Sequence, residues 1–466
     1  MYSSRAIASR VSIRTLKTWT TNGKLDEAKR HSYFVADQKA NAEKLIISGV
    51  RDGNFSLLHG PRSSGKSTLC DVAGSMLKDD FTVLNADFQR VRLNAGEDIF
   101  WDSFGRELVR NNSFLPHIAS APDFIDLFVR RNWEKTLNVS KTTNTPSHDK
   151  PVVIFIDEFD EIYFKSDETT QDSLLGALRG IKQDQSNFCM QSFVGIGSFS
   201  VLNLLGGTGS PFSVREAILC PNLSEEQVRT LFKEYADTRR IVIDPNVISD
   251  IYYRTSGHAG SVSFFGKFID EHDYFSSDNN ITSDKWQDII ASTNVVRECM
   301  KWVPMQKMIK RLSFPYRKFA GNSTKSAGNL IELSPLILEA NDTLYKYILT
   351  NNDPVECHPE TRDLFDFLAS EGAVAACDNS SFKIRSPLVK SLLLSELVPL
   401  MRRKTIKEPV PLINGRLDVP SMITQIVKHW DRNWLALYGA HSRKLSRANG
   451  VPRTTTAPRE EVYQLE

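Results

Sequence analysis

The chain has 466 residues and a mass of 52.7 kDa, too long for one ordinary domain and about the length of two or three. Apolar residues make up 41% and charged residues 24%, enough to bury a core and too apolar for wholesale disorder, while no apolar run reaches the roughly 18 residues of a membrane-spanning helix. The net charge of +2 hides +5 in residues 1–24 and +6 in residues 401–466, which leaves −9 between them, so any nucleic-acid contact is expected from the ends and not from the body.

Six cysteines (Cys70, Cys189, Cys220, Cys299, Cys357, Cys377) are scattered with no CxxC pair. That excludes a zinc ribbon or a dense disulfide scaffold and suits a reducing compartment, so a soluble intracellular protein is expected. Met1–Thr21 is rich in Arg and Ser, carries no acid and sets Ile7, Val11 and Leu16 among basic residues. Two readings stay open for it, a mitochondrial presequence and a basic tail, while the lack of an apolar h-region argues against a secretory signal.

Lys24–Lys44 links into a first helix, and Phe55–His59 reads as a short strand running into a Gly-rich turn, then a helix over Ser67–Leu77. Phe81–Asp87 is a second strand. In Asp98–Arg110 the side chains of Ile99, Phe100, Phe104, Leu108 and Val109 fall on one stripe at helical spacing. Asn138–Lys150 has the composition of a solvated loop. Val152–Ile156 is five β-formers in a row, the pattern of a strand buried on both faces. A helix over Gln171–Lys182 and a strand over Ser192–Gly197 follow. Strands alternating with helices predict an α/β fold with a parallel sheet covered by helices.

Beyond residue 220 the texture is helical. Ser224 before Glu225, Glu226 and Gln227 caps a helix over Leu223–Ala236, and helices follow at Asn246–Thr255 and Gly260–His272, with further helical patterns over Ser283–Ile348. Thr361–Ser370, Gly372–Ala376, Phe382–Arg385 and Pro387–Val398 read as helix, strand, strand and helix, the outline of a winged helix.

The strongest chemical signal is Gly60-Pro61-Arg62-Ser63-Ser64-Gly65-Lys66-Ser67-Thr68. This is GxxxxGK[ST] between a predicted strand and a predicted helix, the context of a phosphate-binding P-loop. Its glycines let backbone N–H groups wrap around phosphates, and the following helix turns its positive end toward them. Lys66 is placed for the β- and γ-phosphates of ATP, and Ser67 for Mg²⁺. The second signal is Val152–Ile156 followed by Asp157 and Glu158. The apolar run drives the strand into the sheet and leaves Asp157 at its C-terminal edge to hold Mg²⁺, with Glu158 placed to polarise water. Asp160 and Glu161 extend the run, so an acidic strand end is the plain alternative.

Ser198, closing Ser192–Gly197, suits a sensor of the attacking water or γ-phosphate on a strand between the other two, or else ends an ordinary strand. His258, in Thr255-Ser-Gly-His-Ala-Gly260, is expected either to face the nucleotide or to cap a helix. Arg179 and Arg215 are candidates for sensing the γ-phosphate in cis or in trans. Cys357-His358 has no partner pair at metal spacing and reads as structural. The expected organisation is a basic tail over 1–29, a three-layer P-loop NTPase core over 30–220, a helical lid over 221–282, a helical and winged-helix-like module over 283–400, and a basic tail over 401–466.

Leu57–Thr68, Phe100-Trp-Asp-Ser-Phe-Gly105, Phe155–Asp160, Leu178-Arg-Gly-Ile-Lys182, Ser210-Pro-Phe212 and Gly257–Gly260 together resemble the P-loop NTPase module of fungal Crinkler-family proteins, which is similar to AAA and signal-transduction ATPases. The resemblance spans roughly residues 30–400 and implies an ATP-binding switch. In that family a nuclease-like domain commonly follows the module. No PD…(D/E)xK pattern follows here, so nuclease activity is not implied, and no leucine-rich translocation motif precedes it, so secretion into a host or a nucleus rests on the family resemblance alone.

Three functions compete. The first is a Mg²⁺-dependent ATPase switch acting on a protein client or within a homo-oligomer. The second is an initiator-like DNA-binding ATPase. Against it, residues 360–396 hold four basic and six acidic side chains, although the basic 401–466 segment could bind nucleic acid weakly and unspecifically. The third is a non-catalytic nucleotide-binding adaptor. No NKxD motif for guanine is present, which favours ATP, and no membrane contact is expected.

Overall fold

The computed structural model describes residues 17–21, 27–139, 150–205, 210–213, 215, 217–272, 279–292, 295–318, 333–351, 353–377, 380–401, 412–413 and 416–429. Most of the predicted presequence, of the 138–150 loop and of the basic C-terminal segment lies outside the described residues.

A five-stranded parallel sheet organises the first half. Its strands are β1 (Phe55–His59), β2 (Thr82–Asp87), β3 (Val152–Asp157), β4 (Met190–Gly197) and β5 (Ala217–Leu219), in the spatial order β2-β3-β4-β1-β5. The two-residue side-chain period splits their apolar groups between two cores. Leu58, Val153 and Phe155 face one core, closed by Leu69, Val72 and Leu77 of helix α1 (Lys66–Leu77). Phe55, Leu57, Val152, Ile154 and Ile156 face the other. It is closed by Phe100, Phe104 and Leu108 of α2 (Glu97–Asn111) and by Leu174 and Leu178 of α3 (Glu168–Gln183). The result is the three-layer α/β fold of a P-loop NTPase, with β4 inserted between β1 and β3.

Two local differences from the sequence reading have physical causes. α3 begins at Glu168, before the expected Gln171, because the Asp167 carboxylate accepts the Thr170 N–H at 2.8 Å and caps the helix. β5 was not expected, since three residues at a sheet edge carry too little pattern to read.

The second half is mostly helical. α4 (Glu225–Arg239) opens with the predicted capping box, Ser224 and Gln227 each bonding the other's backbone. α5 (Pro245–Thr255) and α6 (Ala259–Glu271) follow. A short parallel pair joins Val242–Ile243 with Asn280–Ile281. After α7 (Val303–Lys318) come β6 (Val355–Glu356), α8 (Arg362–Glu371), β7 (Val374–Ala376), β8 (Ser381–Ile384) and α9 (Pro387–Glu396). β6, β8 and β7 form an antiparallel sheet in that order, so a third strand joins the predicted hairpin. These elements share one apolar core, from Phe232 and Phe265 through Trp302 to Phe365 and Leu392.

Part of the expected N-terminal tail belongs to that core. Thr18 bridges to Tyr33, and Trp19 packs against Phe34, Phe232 and Tyr235 with ring centroids 5.0, 5.3 and 5.3 Å away. A side chain at Gly266 would put its Cβ 2.3 Å from Trp19 Cε2, so the helix face has been left bare for the indole. Residues 17–21 are therefore structural, and a presequence ending at Thr21 would include Trp19. No described helix is long and apolar enough to cross a membrane.

Candidate functional site

The loop Gly60–Gly65 leaves β1 and enters α1. Ser63 and Gly65 have φ of 60° and 94°, left-handed values that curl the loop back on itself. At Ser63 that backbone carries strain, which marks a site where the surroundings fix the conformation. A Cβ at Gly60 would lie 3.2 Å from Ser64 Oγ and 3.3 Å from Cys220 Cβ, so the first glycine of the motif is needed for close approach. Ser64 Oγ is buried with no partner among the described residues. Lys66 Nζ lies along the loop and donates to the Gly60 and Pro61 carbonyls at 3.0 and 2.9 Å. Ser67 and Thr68 stand half-buried in the first turn of α1.

Across β4, the strand β3 ends at Asp157, and Glu158 takes φ of 52°, a second strained residue at the same sheet edge. The Glu158 N–H donates to Asp157 Oδ1 at 3.1 Å, and Glu158 Oε1 accepts from Gln89 Nε2 at 3.0 Å. Burial holds the Glu158 carboxyl above its ordinary value, helped by Asp160 and Asp157 and opposed by Lys66 and Arg62. Those two loop cations therefore lie within electrostatic reach of the acid. Sequence reading missed Gln89. Its signal was its place just beyond Asp87, which pairs with Asp157 at the C-terminal edge of the sheet.

Ser198 is tied down. Its N–H and Oγ donate to Asp160 Oδ2 at 3.1 and 2.5 Å, which pins the end of β4 to the turn after β3. A Cβ at Gly197 would stand 2.7 Å from Asp160 Oδ1, so the tie depends on glycine there. Asp160, read as part of an acidic strand end, is buried in this role.

The start of α6 grips the loop by its backbone. His258 caps α6, its Nδ1 accepting the Ser261 N–H at 3.2 Å, and its Nε2 stands 3.0 Å from the Arg62 carbonyl. This network assigns the proton to Nε2. Beside it the Gly260 N–H donates to the Ser63 carbonyl at 3.0 Å, and a Cβ on Gly260 would meet Ser63 Cβ at 2.8 Å. Both predicted roles of His258 thus meet a more specific outcome. It caps the helix and braces the phosphate loop, and both ring nitrogens have protein partners. Burial, with the Arg385 charge, pushes it well below its ordinary pKa, so it is neutral. His59, at the end of β1, is held down at about 4 by burial and the charges of Lys66 and Arg362.

Residues 56–229 match the family model described as "ATPase family associated with various cellular activities (AAA)". This segment is an AAA ATPase domain. It runs from β1 into the first turns of α4. No curated protein matches the chain. Among solved structures, a Walker-type ATPase of Pyrococcus abyssi is 14% identical, with 78% of this chain and 97% of that one covered and a TM-score of 0.46. The ORC1 protein of Aeropyrum pernix in complex with DNA is 15% identical over 79% and 94%, with a TM-score of 0.38. The RuvB Holliday junction branch migration motor of Thermotoga maritima is 14% identical over 74% and 90%, with a TM-score of 0.35. At these identities and scores the likenesses assign no substrate.

Within the AAA domain, the segments that resembled the Crinkler module are packing elements. Phe100, Trp101 and Phe104 are core, and a Cβ at Gly105 would sit 2.0 Å from the Ile118 carbonyl oxygen. Lys182 Nζ donates to the Pro211 carbonyl at 2.7 Å, joining two of those segments. Phe212 stacks its edge against Phe159, directly after Glu158. Arg179 is half-buried on α3 and Arg215 is exposed just before β5. Neither is among the cations that act on Glu158.

The donor set suits ATP with Mg²⁺. The loop offers a curled backbone, a lysine and a helix start, while Ser67 and Asp157 are the hydroxyl and the carboxylate that would hold a phosphate-bound Mg²⁺. Among the described residues no group of three or more His, Cys, Asp or Glu is gathered for a metal held by protein alone.

Proposed function

We propose that this chain binds and hydrolyses ATP with Mg²⁺, and that its lid and C-terminal module respond to the nucleotide. The reading is supported by the parallel sheet, in which β1 runs into the Gly60–Gly65 loop and β3 ends at Asp157 and Glu158 on the same edge, on either side of β4. Lys66 and the amides of residues 60–68 would bind the phosphates, Lys66 exchanging its carbonyl partners for phosphate oxygens. Ser67 and Asp157 would hold Mg²⁺, which when bound neutralises charge on the phosphate oxygens. Glu158, kept in place by Gln89, would take the proton from water as the water attacks the γ-phosphate. Ser198, bonded to Asp160, would fix the position of the strand end beside that water.

Phosphate release with Mg-ATP tests the reading. The parent should turn over, Lys66→Ala should lose binding, and Glu158→Gln should bind without turnover. A parent that binds tightly and never hydrolyses would make the module a nucleotide-binding adaptor, and one that binds no nucleotide would overturn the reading of the loop.

A second reading is an initiator-like ATPase that engages duplex DNA. It is favoured by the helix–hairpin–helix unit of α8, β7, β8 and α9 near the end of the described chain. The net −2 of residues 360–396 opposes it, so any DNA affinity would come from the basic 401–466 segment and fall steeply with salt. Duplex binding that persists when residues 402–466 are deleted would favour this reading over the first. The Crinkler resemblance adds no activity to either reading, and a homo-oligomer using Arg179 or Arg215 in trans belongs to the first.

A further inference from the structure

Arg385 is a buried cation without a counter-charge. It follows β8, where the pairing of Ile384 with Val374 and a 3.2 Å bond from the Arg385 N–H to the Ala373 carbonyl hold its backbone beside β7. Directly after it, Ser386 caps α9 by accepting the Val389 N–H. The residue is 5% exposed. Among the described residues its Nε has no hydrogen-bond partner and its guanidinium forms no ion pair. Glu371, close by in the chain, pairs with Arg311 Nη1 of α7 instead, at 2.5 Å. Burial brings Arg385 down to about 10, so it keeps its charge at neutral pH. A buried charge with no counter-charge is costly.

The surroundings of the guanidinium point to the missing anion. It lies across Gly372, which has φ of 85° and where a Cβ would stand 2.5 Å from Arg385 Nη1. The same point is 3.8 Å from Pro61 Cβ, so the guanidinium and the phosphate loop meet over this glycine. Pro61 is also where the head of Lys66 rests, its Nζ 2.9 Å from the Pro61 carbonyl oxygen. One loop residue therefore has the loop lysine at its carbonyl and a second cation close to its ring. Ser370 Oγ, 3.3 Å from Ser200 Oγ of the AAA domain, ties the end of α8 to that domain two residues before Gly372. A guanidinium is a planar fork of donors that matches phosphate oxygens.

We propose that Arg385 is a phosphate-binding residue of the nucleotide site, which takes an oxygen of the bound polyphosphate as the partner that the protein does not give it. This rests on the nucleotide-binding reading above. The site is then completed from outside the AAA domain, by a cation fixed between β8 and α9.

The test measures dissociation constants for ADP and for a slowly hydrolysed ATP analogue, both with Mg²⁺, by calorimetry on the full chain. Arg385→Met keeps an unbranched stem and removes the charge. It should weaken the analogue about tenfold, equivalent to about 1.4 kcal/mol. A loss for the analogue alone assigns the contact to the terminal phosphate, and a loss for both assigns it to a phosphate they share. Lys383→Met, at an exposed position of β8, removes one positive charge nearby and should leave both constants within about twofold. Without nucleotide, Arg385→Met should melt no lower than the parent, because it relieves an unpaired buried charge, whereas loss of a purely structural arginine would lower the melt. Arg385→Lys keeps the charge without the fork and should weaken the analogue severalfold, and it carries the test if Arg385→Met loses its native near-UV dichroism. Unchanged affinity in the variant that folds, or an equal loss in Lys383→Met, overturns the inference. A parent that binds neither nucleotide overturns the site reading first, which separates the two failures.

Discussion

The side-chain amide of Gln89 donates a 3.0 Å hydrogen bond to Glu158 Oε1, joining the residues just beyond β2 and β3 across the C-terminal edge of the sheet. Glu158 also sits at a left-handed φ of 52°, so its backbone and its side chain are both fixed away from the ordinary strand exit. A donor on the carboxylate stabilises its ionised form. Gln89→Ala should lower kcat about tenfold, the worth of one charge-assisted hydrogen bond of roughly 1.5 kcal/mol, and move the acid limb of the pH–rate profile upward. That limb should already lie above the ordinary carboxylate range in the parent, because burial raises Glu158. Steady-state phosphate release across pH checks both, and an unchanged profile would mean the amide does not hold the reacting oxygen.

Gly260 lets α6 approach the phosphate loop. A methyl there would press on Ser63 Cβ at 2.8 Å and on Trp302 Cζ2 at 2.9 Å, and would push away the N–H that reaches the Ser63 carbonyl. Gly260→Ala should cost about 1–3 kcal/mol of stability through overpacking and weaken nucleotide affinity, which a same-size change at exposed Gly176, with open space around it, should not do. Titration of a fluorescent nucleotide against both variants decides it.

Trp19 fills the lid core from outside the expected domain. Replacing it with alanine should destabilise the chain by about 3–5 kcal/mol, read as a lower melting temperature. A melt equal to the parent's would show that Phe34, Phe232 and Tyr235 close the core without it.

His59 makes stability depend on pH. Its folded pKa of about 4 lies below the ordinary 6.5, so below about pH 6.5 the unfolded chain takes up a proton that the folded one refuses. Its contribution is complete above pH 6.5 and is lost progressively as pH falls toward 4. His258 acts in the same direction. His59→Leu should flatten, without abolishing, the fall in melting temperature between pH 7 and 4.5, and parallel curves for parent and variant would refute the assignment.

Much of the AAA domain is legible in the sequence because its signals are local. The apolar run Val152–Ile156 must be buried on both faces, so Asp157 and Glu158 must emerge at a sheet edge. Gly60–Thr68 needs its glycines for a loop that closes on itself, and Ser224 with Gln227 writes a helix start into four residues. The order helix, strand, strand, helix over Thr361–Val398 follows from the same short-range pattern, as do the core roles of Phe100, Phe104 and Leu108.

What tertiary structure alone decided concerns which distant groups meet. Gln89 looks like any polar residue after a strand until β2 pairs with β3. His258 carries a capping signal, but that its other nitrogen holds Arg62 depends on where the lid lands. Asp160 and Ser198 become one tie only because β4 lies beside β3. Glu371 carries no signal in the sequence, and it is buried against Arg311 because Phe365 and Leu368 draw its helix into the shared core. Hydrophobic period and backbone freedom are properties of neighbouring residues and can be read along the chain. Pairings between residues far apart in sequence are set by how apolar faces fit together, and no short segment contains that information.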